Sequence, residues 1–238
     1  MAELVERIPS SALAVYAHPD DPDVACGGAL ARWAGAGCRV EVAICTRGDK
    51  GSADPAVDPV ELSARREQEM AAAASVMGLA GQHRLGYLDG ELENDRPLRQ
   101  RLVTLVRALR PEVVVCPDPT AAFFGQDYFN HRDHRALGWA TLDALAPAAA
   151  SPHYFPDAGP AHQVAVVYLS GTLEPDVWVD ISATLNQKVQ AVLCHESQVG
   201  GAAERLAEVV RARAVEAGRA AGVRAAEPFR RLRLAAGY

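Results

Sequence analysis

No CxxC pair occurs in these 238 residues, and the five cysteines, Cys26, Cys38, Cys45, Cys116 and Cys194, are odd in number and widely scattered. That speaks against a thiolate metal site and against a disulfide framework. Cys38, Cys45 and Cys116 sit in or beside apolar runs, where cysteine acts as a small core hydrophobe. No apolar run approaches the roughly 18 residues of a membrane span. The opening MAELVERIPS carries acids where a signal peptide needs a basic stretch. Positive charge is not in excess either: the net charge is −6, whereas a nucleic-acid-binding face is basic. GxGxxG, internal repeats and an interdomain linker are all missing. The expectation is a reduced, cytoplasmic protein without nucleic-acid or membrane partners, built as one domain over residues 1–238.

What is present suffices for a good core, with 49% hydrophobic and 23% charged residues. Short β-rich runs alternate with longer helical patterns. Strands are expected at 12–17, 39–45, 84–87, 112–116, 163–169 and 177–180. Helices are expected at 27–36, 60–77, 97–109, 135–145, 183–195 and 202–220. Such alternation predicts parallel βαβ units with helices on both faces of the sheet. Runs such as VVVC (113–116) read as strands buried on both sides. Two long loops, 46–59 and 117–130, each begin just after a strand, where open α/β sheets place their ligands. Residues 147–160, rich in Ala and Pro, read as a flap or a plain surface loop. Phe123, Phe124, Tyr128 and Phe129 form either a sugar- or acyl-facing wall or part of the core.

Chemistry concentrates in two places. The stretch AVYAHPDDPDVACGG ends a strand and crowds His18, Asp20, Asp21 and Asp23 into the turn before a helix. A plain reading has these carboxylates capping the helix, which is worth about 0.3–1 kcal/mol for an acid at a helix N-terminus. A metal is the other explanation, since zinc accepts imidazole nitrogen and carboxylate oxygen and a catalytic site keeps one position open. Asp23 is expected to cap the helix rather than to ligate. The second place is FNHRDHRALGW, where His131, Asp133 and His134 follow the strand VVVC. Both clusters then lie beyond strand C-termini on one edge of the sheet. His134 would complete a His/Asp/His set with His18 and Asp21, leaving His131 free to donate a proton and Asp133 to orient an imidazole.

HPDD (18–21) followed by Gly27-Gly28, TRGD (46–49), Arg66 with Glu69, Gly86-Tyr87 and Asp89-Gly90, HRDH (131–134) and HESQ (195–198) resembles the LmbE/PIG-L zinc-dependent N-deacetylases. These act on N-acetylglucosaminyl-phosphatidylinositol, on mycothiol and bacillithiol precursors, and on chitobiose. The resemblance implies a Rossmann-like three-layer α/β/α sandwich with a mostly parallel sheet. It implies Zn2+, or another divalent metal such as Fe2+, on His18, Asp21 and His134. It further implies hydrolysis of an N-acetylated amino sugar or small conjugate by a zinc-bound water, with Asp20 as general base. His131 would stabilise the oxyanion or protonate the amine, with Asp133 tuning it.

Arg47, Asp49, Arg66, Tyr128, Arg132, His195 and Gln198 are candidates for substrate contact. Each has a plainer reading. Arg66 and Glu69 lie at i,i+3 and could pair on the surface, Arg132 could pair with Asp127 or Asp133, and His195 could end a helix. Pro22 stands where many relatives have Glu, and its role is open, as is a homo-oligomer. Two other classes compete: a nucleotide-binding module using Gly27-Gly28, and a catalytically inactive metal-binding protein. Asp20 and His131 argue against the latter, because neither is needed merely to hold zinc.

Overall fold

Alternate residues of the central strands enter opposite cores. In β2 (Ser11–Tyr16), Ala12, Ala14 and Tyr16 pack on one face of the sheet and Leu13 and Val15 on the other. In β5 (Val113–Pro117), Val113 and Val115 face one way and Val114 and Cys116 the other. Both faces are therefore apolar, as strands covered by helices on two sides require. The computed structural model describes residues 2–234.

The remaining strands are β1 (Glu3–Leu4), β3 (Arg39–Thr46), β4 (Gly81–Tyr87), β8 (Val166–Ser170), β9 (Val177–Asp180) and β10 (Ala226–Arg233), with a small hairpin of β6 (Phe123–Phe124) and β7 (Tyr128–Phe129). The eight-stranded sheet has the order β1-β9-β10-β8-β5-β2-β3-β4. All its pairings are parallel except those of β10, which runs antiparallel between β8 and β9. One face is covered by α1 (Asp21–Gly35), α2 (Pro59–Met77), α5 (Leu185–Leu193) and α7 (Ala203–Ala221), with the single turn α6 (Glu196–Val199) nearby. The other face is covered by α3 (Arg96–Leu109) and α4 (Arg132–Asp143). This is the expected three-layer α/β/α arrangement. The chain leaves β2 in one direction toward β3 and β4, and continues from β5 in the other direction toward β8. The crevice between β2 and β5 is thus the topological switch point where such sheets bind ligands.

Sequence and structure part in four places. The sequence pattern gave no strand after α7, yet β10 fills an interior position of the sheet. Its Pro228, a residue that lacks the ladder N–H, hid it. The helix expected from Gly27 starts earlier, at Asp21, and breaks at Cys26 (φ −147°, ψ 15°). Pro22 fits there because the second helical position needs no N–H partner, which is a local reason for that proline. The segment 147–160 is no flap: the buried Arg107 guanidinium donates to the carbonyls of Ala148, Ala149, Ser151, Tyr154, Phe155 and Gly159 and ties it down. Finally, α4 spans Arg132–Asp143 where 135–145 was expected, with the HRDH motif at its start.

The break at Cys26 is held by distant residues. Glu227 of β10 accepts the N–H groups of Gly28 and Ala29 at 3.0 and 2.7 Å, acting as the cap of the second helical segment. Lys188 of α5 bridges Glu227 (2.5 Å) and the carbonyl of Val24 (2.7 Å). At Gly28 a Cβ would lie 2.7–2.9 Å from side-chain atoms of Ile181. Gly28→Ala is therefore expected to lose about 1–3 kcal/mol of stability through overpacking, read as a lower midpoint in urea denaturation. An unchanged midpoint would mean that α1 and the Ile181 segment can separate without loss. Among the described residues, no helix is long and apolar enough to cross a membrane.

Candidate active site

His18 follows β2, and His131, Asp133 and His134 start α4, so the two sequence clusters meet at the β2/β5 crevice. Hydrogen bonds fix the proton on each ring. His18 Nε2 lies 3.0 Å from Asp89 Oδ1 and 3.4 Å from Asp133 Oδ2, so it carries a proton, and Nδ1 is the nitrogen turned toward Asp21 and His134. Asn130 spends its amide N–H on the carbonyl of Ala121 (2.8 Å), which turns its Oδ1 toward His134 Nδ1 at 3.0 Å. His134 Nε2 is thereby left as an acceptor. The two nitrogens face one another at 3.2 Å, with Asp21 Oδ2 3.2 Å from His18 Nδ1 and Asp21 Oδ1 3.1 Å from His134 Nε2.

Asp21 meets the two nitrogens with different oxygens, so these are contacts among four atoms and not one ligand triangle, but they bring two imidazole nitrogens and a carboxylate to one place, the donor types a divalent metal accepts. The local electrostatics favour positive charge there. Burial opposes charge on His18, but the carboxylates of Asp21, Asp133 and Asp89 outweigh it and push its pKa up to about 12. His18, His131 and His134 also bring one nitrogen each within 4.8 Å of one another. His131 is engaged differently, however. It is the cap of α4, and its Nδ1 accepts the Asp133 N–H at 3.2 Å. The proton of the neutral ring then sits on Nε2. Burial and the neighbouring His18 hold the His131 imidazole below its ordinary pKa, which favours that neutral form. Its ring lies 4.7 Å from that of His18, edge to face.

The carboxylates of the first cluster divide their work in a way the spacing could not reveal. Asp20 occupies the cap position of α1 but makes no cap bond. Its Oδ1 instead accepts from Arg66 Nη2 at 2.7 Å. Asp23 is not the expected helix cap: it is buried, and its Oδ2 accepts from His195 Nε2 at 2.7 Å. His195 is only 1% exposed. It ties the segment between α5 and α6 to the helix carrying Asp21.

Other expectations need similar correction. The carboxylate of Asp133 is sealed from solvent, holds the N–H groups of Gly90 and Leu92 (2.7 and 3.1 Å), reaches the His18 imidazole, and acts on His131 only through its charge, which raises that ring's pKa against the effect of burial. Arg66 and Glu69 do not pair on the surface. Arg66 is buried against Asp20, and Glu69 binds the backbone N–H and the hydroxyl of Ser197. Arg132 pairs with Glu93 and the Gly90 carbonyl, not with Asp127 or Asp133. Asp49 accepts the Asp89 N–H at 3.1 Å and thereby seats the residue that holds His18. Arg47 is exposed and donates to the Gly86 carbonyl, and half-buried Gln198 lies beside Gly51.

The aromatic hairpin stands clear of the core, with Phe123 68%, Tyr128 52% and Phe129 55% exposed. Its rings pair across the strands, Phe123 on Phe129 and Phe124 on Tyr128. Of two residues that hold the site, Asp89 entered the sequence reading only as part of the resemblance, with no role given to it, and Asn130 was not singled out. Asn130 had one available signal, its place directly before the H-x-D-H spacing.

The family model for GlcNAc-PI de-N-acetylase matches residues 13–145, which contain both clusters. The diacetylchitobiose deacetylase of Thermococcus kodakarensis is 33% identical over 78% of this chain and 69% of its own length. The 1D-myo-inositol 2-acetamido-2-deoxy-alpha-D-glucopyranoside deacetylase 2 of Saccharopolyspora erythraea is 31% identical over 74% of this chain and 68% of its own. Among solved structures, the N,N'-diacetylchitobiose deacetylase from Pyrococcus horikoshii superposes with a TM-score of 0.86 at 27% identity, covering 94% of this chain and 84% of that one.

Proposed function

The chain belongs to the GlcNAc-PI de-N-acetylase (PIG-L/LmbE) family, and on that premise we propose that it is a metal-dependent hydrolase removing an acetyl group from the amide nitrogen of an N-acetylated amino sugar or its small conjugate. The observation that carries this reading is the meeting of His18 Nδ1, Asp21 and His134 Nε2 at 3.1–3.2 Å, with a carboxylate beside them that caps nothing. Those three residues are the proposed metal ligands. When bound, a divalent ion such as zinc or ferrous iron supplies Lewis-acid polarisation of the acetamide carbonyl and draws the pKa of a water to about 7.

The chain's own residues do the rest. Asp20, with Oδ1 engaged by Arg66, has Oδ2 to take the proton of the attacking water and to return it to the departing amine. His131 donates from Nε2 to the oxygen that gains charge as the carbonyl is attacked. Asp89 and Asp133 hold His18 in the ligating tautomer, and Asn130 does so for His134. Arg47, Tyr128 and Gln198 are the residues proposed to meet the substrate. A nucleotide-binding role finds no seat at Gly27-Gly28, because Glu227 already takes the Gly28 and Ala29 N–H groups that a phosphate would need.

The test is release of a primary amine from N-acetylglucosamine, diacetylchitobiose and an N-acetylglucosaminyl-inositol by the zinc-loaded protein. At least one is expected to be hydrolysed, with activity lost on chelation and restored by metal. Protein with stoichiometric metal that releases no amine from any of them would overturn the assignment.

A further inference from the structure

Arg66 is enclosed to a degree that substrate contact does not explain. Its side chain is 3% exposed, with Nη1 on the Gly48 carbonyl at 3.0 Å and Nη2 on Asp20 at 2.7 Å. The loop after β3 closes over the guanidinium through two glycines. A Cβ at Gly48 would come within 2.5–2.9 Å of three guanidinium atoms, and one at Gly51 within 2.5 Å of Nη1 and 2.9 Å of the Gln198 amide oxygen. Gly48 in addition has φ +62°, a conformation that glycine adopts without strain. Behind the arginine, Glu69, one turn further along α2, binds Ser197 and so pins the segment that follows α5.

Asp20 supplies the second observation. An aspartate at a helix cap ordinarily accepts an N–H from the first turn. Pro22 offers none, so the Asp23 N–H is the donor such a cap would use. Asp20 makes no cap bond, and its carboxylate is drawn instead to Arg66 across 46 positions of sequence. The Asp20 backbone is helical (φ −94°, ψ −15°) where a capping aspartate is extended, and its carboxylate meets the arginine instead of the first-turn N–H.

From this we infer that Arg66 is a positioning residue that aims Asp20, and that Gly48 and Gly51 are small so that its guanidinium can reach the carboxylate. One nitrogen fixes Oδ1, and Oδ2 takes no part in that bond. The inference rests on the reading of Asp20 as the base, but its first test does not. In a crystal structure of Arg66→Met, the Asp20 carboxylate is expected to turn away from the position it now holds, whereas a carboxylate left in its present place would overturn the inference. Arg66→Lys, which keeps the charge but not the planar fork, covers the case in which the methionine variant does not fold.

Kinetics make the second test. Arg66→Met is expected to lower kcat about 10²-fold, as a displaced catalytic group does. KM should stay within about threefold and metal content should be unchanged, and millimolar guanidinium should restore part of the rate. Gly51→Ala is expected to show the same pattern more weakly. A raised KM with kcat intact would assign Arg66 to the substrate instead. If Asp20 turns as expected while Asp20→Asn keeps full activity, the failure lies with the base assignment and not with the arginine's hold on that residue.

Discussion

Asp20→Asn is expected to keep its metal and to lower kcat about 10³-fold, within the range that a general base contributes. Asparagine preserves the local structure as far as any substitution can. Its amide oxygen still accepts from Arg66 Nη2, the bond that now spans 2.7 Å. What it lacks is the basic oxygen needed to take a proton from water. Because Asp20 is no part of the His18/Asp21/His134 convergence, elemental analysis of the variant should return the wild-type stoichiometry. KM should move little, since the effect falls on a proton transfer in the transition state. Full activity with bound metal would remove Asp20 from the chemistry. Loss of the metal would mean that Asp20 is a ligand and that the three-residue set is incomplete.

His134→Ala is expected to abolish both metal binding and hydrolysis. The variant removes one of the three proposed ligands and leaves only His18 Nδ1 and Asp21 to hold an ion. Asn130→Ala gives the useful contrast. It removes only the group that orients His134, and losses of that kind run to about 10–100-fold in metal affinity or activity. The two variants should therefore rank clearly in a titration with zinc against a competing chelator, with His134→Ala the weaker binder by far. Thermal unfolding gives a second reading. Metal that binds only the folded state raises stability in proportion to the logarithm of its concentration over Kd. Added zinc should lift the melting temperature of the wild type and leave that of His134→Ala unmoved. Equal zinc affinity in the two variants would show that the ion sits elsewhere.

Much of this site was legible because its chemistry lies on short local devices. A strand that is apolar on both faces has to stop where His18 and the paired aspartates begin, and VVVC sets the same limit before the second cluster. Strand ends that share an edge bring such clusters together whatever the loops between them do. Residue type then restricts the options: two imidazoles and a carboxylate at strand ends favour a divalent metal. The division of labour among the aspartates was not legible in the same way. Asp23 was expected to cap α1, but it is buried against His195, 172 residues away. Asp133 was expected to orient an imidazole and to tune His131; it meets the His18 ring and acts on His131 by charge, and its hold on the loop carrying Asp89 was not legible.

The strand that the sequence concealed shows the same limit. AEPFRRLR contains a proline and three arginines and offers no clean alternation, yet it runs inside the sheet and delivers Glu227 to the break in α1. Nothing near Glu227 in sequence announces a helix whose own start lies some two hundred residues earlier. By itself, then, the sequence determined the layered α/β architecture, the edge of the sheet that carries the site, and the residue types that meet there. Tertiary structure alone decided which carboxylate faces which partner. The reason is physical: strand and helix periodicity follow from neighbours along the chain, whereas the direction of a carboxylate follows from the nearest donor in space. For Asp20, Asp23 and the α1 break those donors come from α2, the segment after α5, and the backbone of α1 itself as it meets β10.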